Sequence, residues 1–412
     1  MPDNPHQNLE TLLEDRTASA AASRIVRAMS ASGALRPNEI ARLTGLARST
    51  VSAVTAELKE SGIVIDVQEP RAGRRAVGRP SIALKLNPEA GHCVGLHLGL
   101  DEIRLVIADV AHSIIAQERL ALGRDYDPRA AAEHTRTSLL AAYERHGLDP
   151  DRSLGMGISV SGPVTPDGTI LHSSILPDWA GLNVVDVFRP VLGRPVHADN
   201  ESNCAAVAEM TWGAAQDEDS FVLFKIDLGV GGAIVHGGRI LTGIAGGGGE
   251  FGHVCVDPDG DLCRCGNRGC LELAASFNRP LATLSQLHGR ALSIPDVIAL
   301  ADAGDEEALA SIAKVGHAAG FGLAMVGTIL NPPLIIIAGD MALAGERILA
   351  PLRQAYETHV LIKSGAVPPA RRTRIVTGAF TETDSLLGAV GLVLRDIGRL
   401  GASTDTGTSG TL

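Results

Sequence analysis

Three short amphipathic stretches follow one another early in the chain. Over 19–31, Ile25, Val26 and Met29 share one face at helical spacing, and Gly33 ends the stretch. Over 36–44, Pro37 sits in the first turn, Ile40 and Leu43 are placed facing inward, and Gly45 supplies the turn. Over 48–61, Ser49 and Thr50 are candidate caps, Val51, Val54 and Leu58 form the apolar stripe, and Gly62 stops the helix. Ile63-Val64-Ile65, a Gly/Arg-rich segment and Ile82-Ala83-Leu84-Lys85-Leu86 then read as two strands of a wing. The pattern is a helix, a helix-turn-helix and a two-stranded wing over 19–88.

From 89 onward the pattern changes. Short apolar runs predict strands over 93–98, 104–109, 154–160, 195–198, 221–227, 232–236, 334–338 and 374–377. Longer periodic stretches predict helices over 129–146, 203–212, 272–276, 294–303, 306–330, 345–358 and 386–400. Alternation of this kind predicts an α/β body over 89–400. No short internal repeat is visible. The polar segments 1–18 and 401–412 are expected to be disordered arms. The apolar tract 318–330 is broken by glycine and followed by Asn331-Pro332-Pro333, so it reads as a buried helix rather than a membrane span. The first residues lack the basic and apolar regions of a signal peptide, and a cytoplasmic protein with no membrane partner is expected.

Charge sharpens this division. The 412 residues carry a formal net charge of −11, which taken whole argues against a nucleic-acid partner. Yet residues 19–86 hold eleven Lys/Arg and five Asp/Glu, a balance of +6, which with −3 on residues 1–18 leaves −14 on residues 87–412. A basic module precedes an acidic body. In the third helical stretch Arg48, Ser49, Thr50 and Ser52 stand at the N-terminal end, where a recognition helix presents side chains to base edges. Arg71, Arg74, Arg75 and Arg79 fall between the wing strands among Gly73, Gly78 and Pro80, a composition suited to a minor groove or to phosphates. The competing reading is a solvated basic surface on a protein-docking winged helix. Operator DNA is the better match, because helical spacing, charge and wing chemistry agree.

Three of the six cysteines crowd into 263–270. With His253 they form a Cys3His set, His253, Cys263, Cys265 and Cys270, suited to one structural Zn2+ per chain. Gly266 and Gly269 permit the tight turns that gather the thiolates. Redox sensing and a loose set of free thiols are the alternatives. Cys255 would be a spare thiol, and Cys93 and Cys204 ordinary buried residues.

Gly-Gly-Gly-Gly-Glu-Phe-Gly-His (246–253), the Cys-x-Cys-Gly-x-x-Gly-Cys-x-Glu run (263–272) and Asp199-Asn200-Glu201-Ser202-Asn203-Cys204-Ala205-Ala206 together resemble the ROK family of repressors, open reading frames and sugar kinases. The winged helix and Gly78-Arg79-Pro80 resemble its repressor branch. The resemblance implies a two-lobed body related to actin and hexokinase, with sugar bound in the cleft. It also implies that Asn200, Glu201, Glu250, His253 and Glu272 are sugar ligands, with His253 using one ring nitrogen for zinc and the other for sugar. Carboxylates and an amide suit a polyol, which offers donors and acceptors. Glu272 has a second reading, a carboxylate stabilising its own helix start. Asp178, Trp179 and Asn183 lie on a loop placed to rim the cleft.

Kinase relatives require phosphate turns that this chain departs from. His97 stands at the metal-directing Asp position, and Asp101 and Glu102 follow where phosphates approach. The second turn reads Asp227-Leu228-Gly229-Val230-Gly231, without the hydroxyl. Glu201 stands at the base position with an extra methylene, about an ångström out of place for general-base work. A non-enzymatic, sugar-responsive repressor is expected, acting as a homodimer or homotetramer with a sugar or sugar phosphate as effector. A zinc-containing sugar kinase that carries a DNA-binding head is the alternative, as is a constitutive DNA binder with a vestigial cleft.

Overall fold

The computed structural model describes residues 20–68, 82–171 and 175–399. Three helices begin it: α1 (Ala20–Ser32), α2 (Pro37–Thr44) and α3 (Arg48–Glu60). Strands β1 (Val64–Gln68) and β2 (Ile82–Leu86) pair antiparallel as the wing. Ile25, Val26, Met29, Ile40, Val51, Val54 and Leu58 are buried together, as their spacing requires. Leu43 is not: it is 46% exposed, and Thr44 takes the inward position, its hydroxyl donating to the Ile40 carbonyl. Positions three and four after Ile40 both lie near its face, and packing of the head takes Thr44 inward rather than Leu43. Ser49 and Thr50 are not caps either, since α3 starts one residue after Ala47 and has no side-chain cap. The Gly45 turn adopts φ 66°, which an L side chain disfavours.

The body comprises β3 (His92–Leu98), β4 (Glu102–Asp109), β5 (Ile114–Ala121), α4 (Pro128–His146), β6 (Ser153–Val160), α5 (Val184–Leu192), β7 (Val196–Asn200), α6 (Glu201–Trp212), β8 (Phe221–Ile226), β9 (Val230–His236) and β10 (Arg239–Ile240). It continues through α7 (Glu272–Ala275), α8 (Asn278–Leu287), α9 (Ile294–Asp302), α10 (Glu306–Leu330), β11 (Leu334–Ala338), α11 (Glu346–His359), β12 (Arg374–Thr377) and α12 (Asp384–Arg399). Two five-stranded sheets result, ordered β5-β4-β3-β6-β7 and β10-β9-β8-β11-β12. In each, a three-stranded antiparallel meander is extended by two parallel strands. The lobes are thus one topology used twice, a repeat invisible in the sequence. The fold is the expected two-lobed α/β body behind a winged helix-turn-helix.

Sequence periodicity does not predict β5, β10, α5 or α8. β5 is an edge strand with outward charges, and α5 is nine residues long with Pro190 inside it. Helix α10 is long and apolar enough to cross a membrane by composition alone. Half of its most apolar window is buried, with Gly316 and Gly320 set against the carbonyls of Ile348 and Leu352 on α11. α12 returns to the first lobe, crosses α6 and packs on β3 and β6. A single buried cluster runs from Ile25, Ile40 and Val51 of the head to Leu386, Val390 and Val393 of α12.

Candidate functional site

The loop after β10 crosses back over β9 to reach the cleft. Gly249, at φ 90°, lies so close to Gly232 that an added Cβ would stand 2.4 Å from its carbonyl oxygen. This places Glu250 and the 3-10 turn Phe251–His253 at the mouth between the lobes. Beyond it the cysteine run folds back. Gly269, at φ 62°, leaves no room for a Cβ beside the Asp257 carbonyl. The ligand atoms of His253, Cys263, Cys265 and Cys270 consequently fall within 4.8 Å of one another.

His253 Nδ1 lies 3.7 Å from the Cys263 sulfur, and the sulfurs of Cys265 and Cys270 lie 3.6 Å apart. Tetrahedral zinc with Zn–S bonds of 2.3 Å separates its sulfurs by about 3.8 Å. These four residues therefore fit a metal ion, in the N/S chemistry zinc prefers. With Nδ1 turned to the thiolates, His253 has Nε2 left for the cleft. Cys255 is exposed and outside the set, while Cys93 and Cys204 are buried.

The cleft encloses a cavity of ≈ 230 Å³ lined by Gly162, Asn200, Glu201, Lys225, Asp227, Glu250, His253 and Arg264, among others. Asn200 caps α6, accepting from the Ser202 N–H at 2.7 Å while its amide donates to the Gly162 carbonyl at 2.9 Å. Its side chain lines the cavity but is already engaged with backbone. Glu201 accepts from the Ser161 hydroxyl at 3.1 Å and lies 3.9 Å from His97. Burial opposes its charge, yet Lys225 and the Ser161 hydroxyl hold its carboxyl below the usual range. The Glu250 carboxylate makes no hydrogen bond among the described residues, and burial together with the Glu201 and Glu272 charges pushes its pKa up. Glu272 does begin α7, but both its oxygens are taken by Arg264, at 2.8 and 2.7 Å.

Sequence reasoning missed Lys225, Asp384 and Arg264. Lys225 is buried on β8, with Asp384 at 3.3 Å and Asp227 at 3.7 Å. Burial alone would lower its pKa, and the Asp384, Glu201 and Asp227 carboxylates outweigh that, so it remains charged. Its sequence signal was a lone cation inside the apolar run Phe221–Ile226; Asp384 lies 159 residues away and had none. His97 is buried and neutral, its pKa pushed down to about 3 chiefly by burial, with Ser159 at 3.1 Å. Of the acids in the first turn, Glu102 is paired with Arg119 and Arg104. Trp179 does not rim the cleft. It is buried against Phe188 and Tyr126, while Asn183 caps α5 and Asp178 is exposed.

Burial raises the Asp227 pKa to about 7, against the pull of Lys225. The folded value lies above the unfolded one, so folding takes up a proton between pH 3.8 and about 7. This contribution to stability is complete in acid and lost as pH rises through 7. Asp227→Asn should flatten that part of a denaturant-stability profile measured from pH 5 to 8. An unchanged slope would assign the titration to another group.

In the head, Arg48, Ser49 and Ser52 are exposed at the start of α3 and Thr50 is half-buried, on the side away from Val51, Val54 and Leu58. Arg71, Arg74, Arg75 and Arg79 lie outside the described residues.

The sequence pattern of the ROK family matches residues 93–396, and that of the MarR family matches residues 18–76. The chain is 27% identical over 327 residues to the xylose repressor of Bacillus subtilis, covering 79% of this chain and 84% of that protein. It is 29% identical over 284 residues to a glucokinase of Halalkalibacterium halodurans, covering 65% of this chain and 86% of the other. Among solved structures, a ROK family transcriptional regulator described as a homologue of the Escherichia coli Mlc protein superposes with a TM-score of 0.73 at 23% identity. That alignment covers 94% of this chain and 98% of the other.

Proposed function

From the premise that this chain belongs to the ROK family, we propose that it is a sugar-responsive transcriptional repressor: the winged helix binds operator DNA, and a sugar in the cleft alters that binding. The observation that carries this reading is the join. A head with Arg48, Ser49 and Ser52 exposed on its third helix is fused, through one continuous core, to a body whose cleft gathers Glu201, Glu250 and His253. The resemblance to a xylose repressor over 79% of the chain supports it. A sugar can shift the equilibrium only if it binds the lobe arrangements with different affinity. Helix-turn-helix proteins read paired half-sites, so the acting species is taken to be a homodimer or homotetramer. Arg74, Arg75 and Arg79 would contact DNA from the wing, and Asn200, Glu201, Glu250, His253 and Glu272 the sugar. One Zn2+ per chain, held by His253, Cys263, Cys265 and Cys270, would supply only structure, fixing His253 beside the ligand.

The kinase reading draws on the 29% identity to a glucokinase and on the carboxylate kept at Glu201. Against it, phosphoryl transfer needs donors around the phosphates, and the second turn offers the Asp227 carboxyl and no hydroxyl. Genome-wide footprinting followed by gel shifts on the recovered sites decides between them. Arg48→Ala should weaken operator binding about tenfold or more, and a hexose or pentose should change wild-type affinity. Turnover of sugar in an ATP-coupled assay at ordinary enzyme rates, with no sequence-selective footprint, would favour the kinase.

A further inference from the structure

Glu272 and Arg264 share the zinc-side end of the cleft, but only one of them faces it. The Arg264 guanidinium donates through Nε to one oxygen of Glu272 and through Nη2 to the other, while the Val230 N–H reaches the second oxygen at 3.2 Å. The Glu272 side chain is 7% exposed and Arg264 42%; Arg264 lines the cavity and Glu272 does not. Gly229, which also lines the cavity, packs against the pair: a Cβ there would stand 2.9 Å from Glu272 and 3.0 Å from Arg264. Of the two partners, Arg264 is the one that meets the cavity. Arg264 itself is anchored at its backbone between Cys263 and Cys265, with its tip reaching past them.

We infer that Arg264 is a specificity-determining residue that competes with the ligand for Glu272. This rests on the sugar-binding reading above. A bidentate guanidinium satisfies a carboxylate through two parallel charge-assisted bonds. A sugar hydroxyl that donates to Glu272 from the cleft meets the guanidinium first, because Glu272 is buried behind it, so reaching the carboxylate costs at least one of these bonds and returns a single neutral-donor bond. The half-exposed guanidinium can swing into solvent, whereas Glu272 stays held by the Val230 N–H. The cleft is thus self-occupied when empty. It admits only a ligand whose other contacts, at Glu201, Glu250 and His253, offset the exchange. Weak ligands that lack those hydroxyls are excluded, which is discrimination by an element working against the wrong partner.

Calorimetric titration of the zinc-loaded full chain with a panel of neutral hexoses and pentoses, and their uronic and phosphorylated forms, tests this. Arg264→Ala and Arg264→Gln should each tighten binding of the neutral ligand, Ala by about tenfold. The sugar concentration that half-shifts operator binding should move by the same factor. Glu272→Gln should cost about tenfold more in Arg264→Ala, where the carboxylate is open to the sugar, than in the wild-type background, where the guanidinium already occupies it. Metal content and thermal unfolding of each variant establish that it is folded and loaded. Weaker binding in both Arg264 variants would make Arg264 a ligand contact and overturn the inference, as would an equal cost of Glu272→Gln in both backgrounds. No binding of any sugar by either the wild type or the variants would instead overturn the sugar-binding reading itself, and this inference with it.

Discussion

Gly388→Ala is expected to destabilise the protein by about 3 kcal/mol or more, at the upper end of what overpacking costs. Gly388 lies on α12 where it crosses α6. A Cβ there would stand 1.8 Å from the Cys204 carbonyl oxygen and 2.2 Å from its carbon. Both are backbone atoms of a buried helix, so no side-chain rotation relieves the clash and the helices must part. On the next turn of the packing, Gly157 of β6 is equally tight against the Ala389 carbonyl, so α12 has no direction in which to retreat. Because α12 also shares its core with Ile25, Ile40 and Val51, the separation should loosen the head as well as the lobe. Urea unfolding followed by circular dichroism measures the loss. Gly365→Ala is the control: it has open space around the added methyl and is expected to stay within about 0.5 kcal/mol of wild type. Equal stability of the two variants would mean that the α6–α12 crossing is loose enough to admit a methyl group.

The second large effect concerns the metal. Cys265→Ser should lower bound zinc from about one ion per chain to a small fraction of that, because three ligands hold zinc far more weakly than four. Among the described residues, the backbone bonds of the segment from Glu250 to Glu272, such as Val256 N–H to the Gly269 carbonyl and Leu271 N–H to the Val254 carbonyl, close within the segment rather than onto the sheets. With the proposed ion bound, its order would depend on that ion gathering its thiolates. Loss of zinc should therefore lower the midpoint of thermal unfolding, and a chelator should reproduce this in the wild type while leaving the variant unchanged. Cys255→Ser, an exposed thiol outside the set, should retain zinc fully. If Cys265→Ser kept its zinc, Cys265 would be removed from the site, and a chelator without effect on wild-type unfolding would deny the ion a structural role.

Much of the candidate site was legible because its signals are local. Spacing in 253–270 names the four residues whose ligand atoms gather closely enough to hold a metal ion, and helical periodicity names the buried residues of α1 and α3. The strands Leu334–Ala338 and Arg374–Thr377 and the helix Glu306–Leu330 are bounded where their patterns end. Other features went unread although they lie close in sequence. Arg264 is eight residues from Glu272, yet nothing in the spacing says that its fork turns back over that carboxylate instead of out to solvent. Position along the chain sets Trp179 on a loop at the rim, but the Phe188 and Tyr126 rings that bury it belong to other segments.

What the sequence determined by itself was therefore the set of short-range choices: a basic winged head, an alternating α/β body, a thiol-rich turn suited to one zinc ion, and a family resemblance carried by three motifs. Each depends on residues within a few turns of one another, where propensity and periodicity act directly. The tertiary structure alone decided that the two sheets repeat one topology, since strand order is a matter of pairing between distant segments. It alone brought Lys225 to Asp384 and Glu209 to the Ala379 N–H, 159 and 170 residues apart. Burial makes such charges costly unless they are partnered, and the partner is chosen by how the whole chain packs. For the same reason the net charge of −11 describes no surface of this molecule. The acidic body turns part of its charge inward around Lys225, and the basic head leaves Arg48 outside.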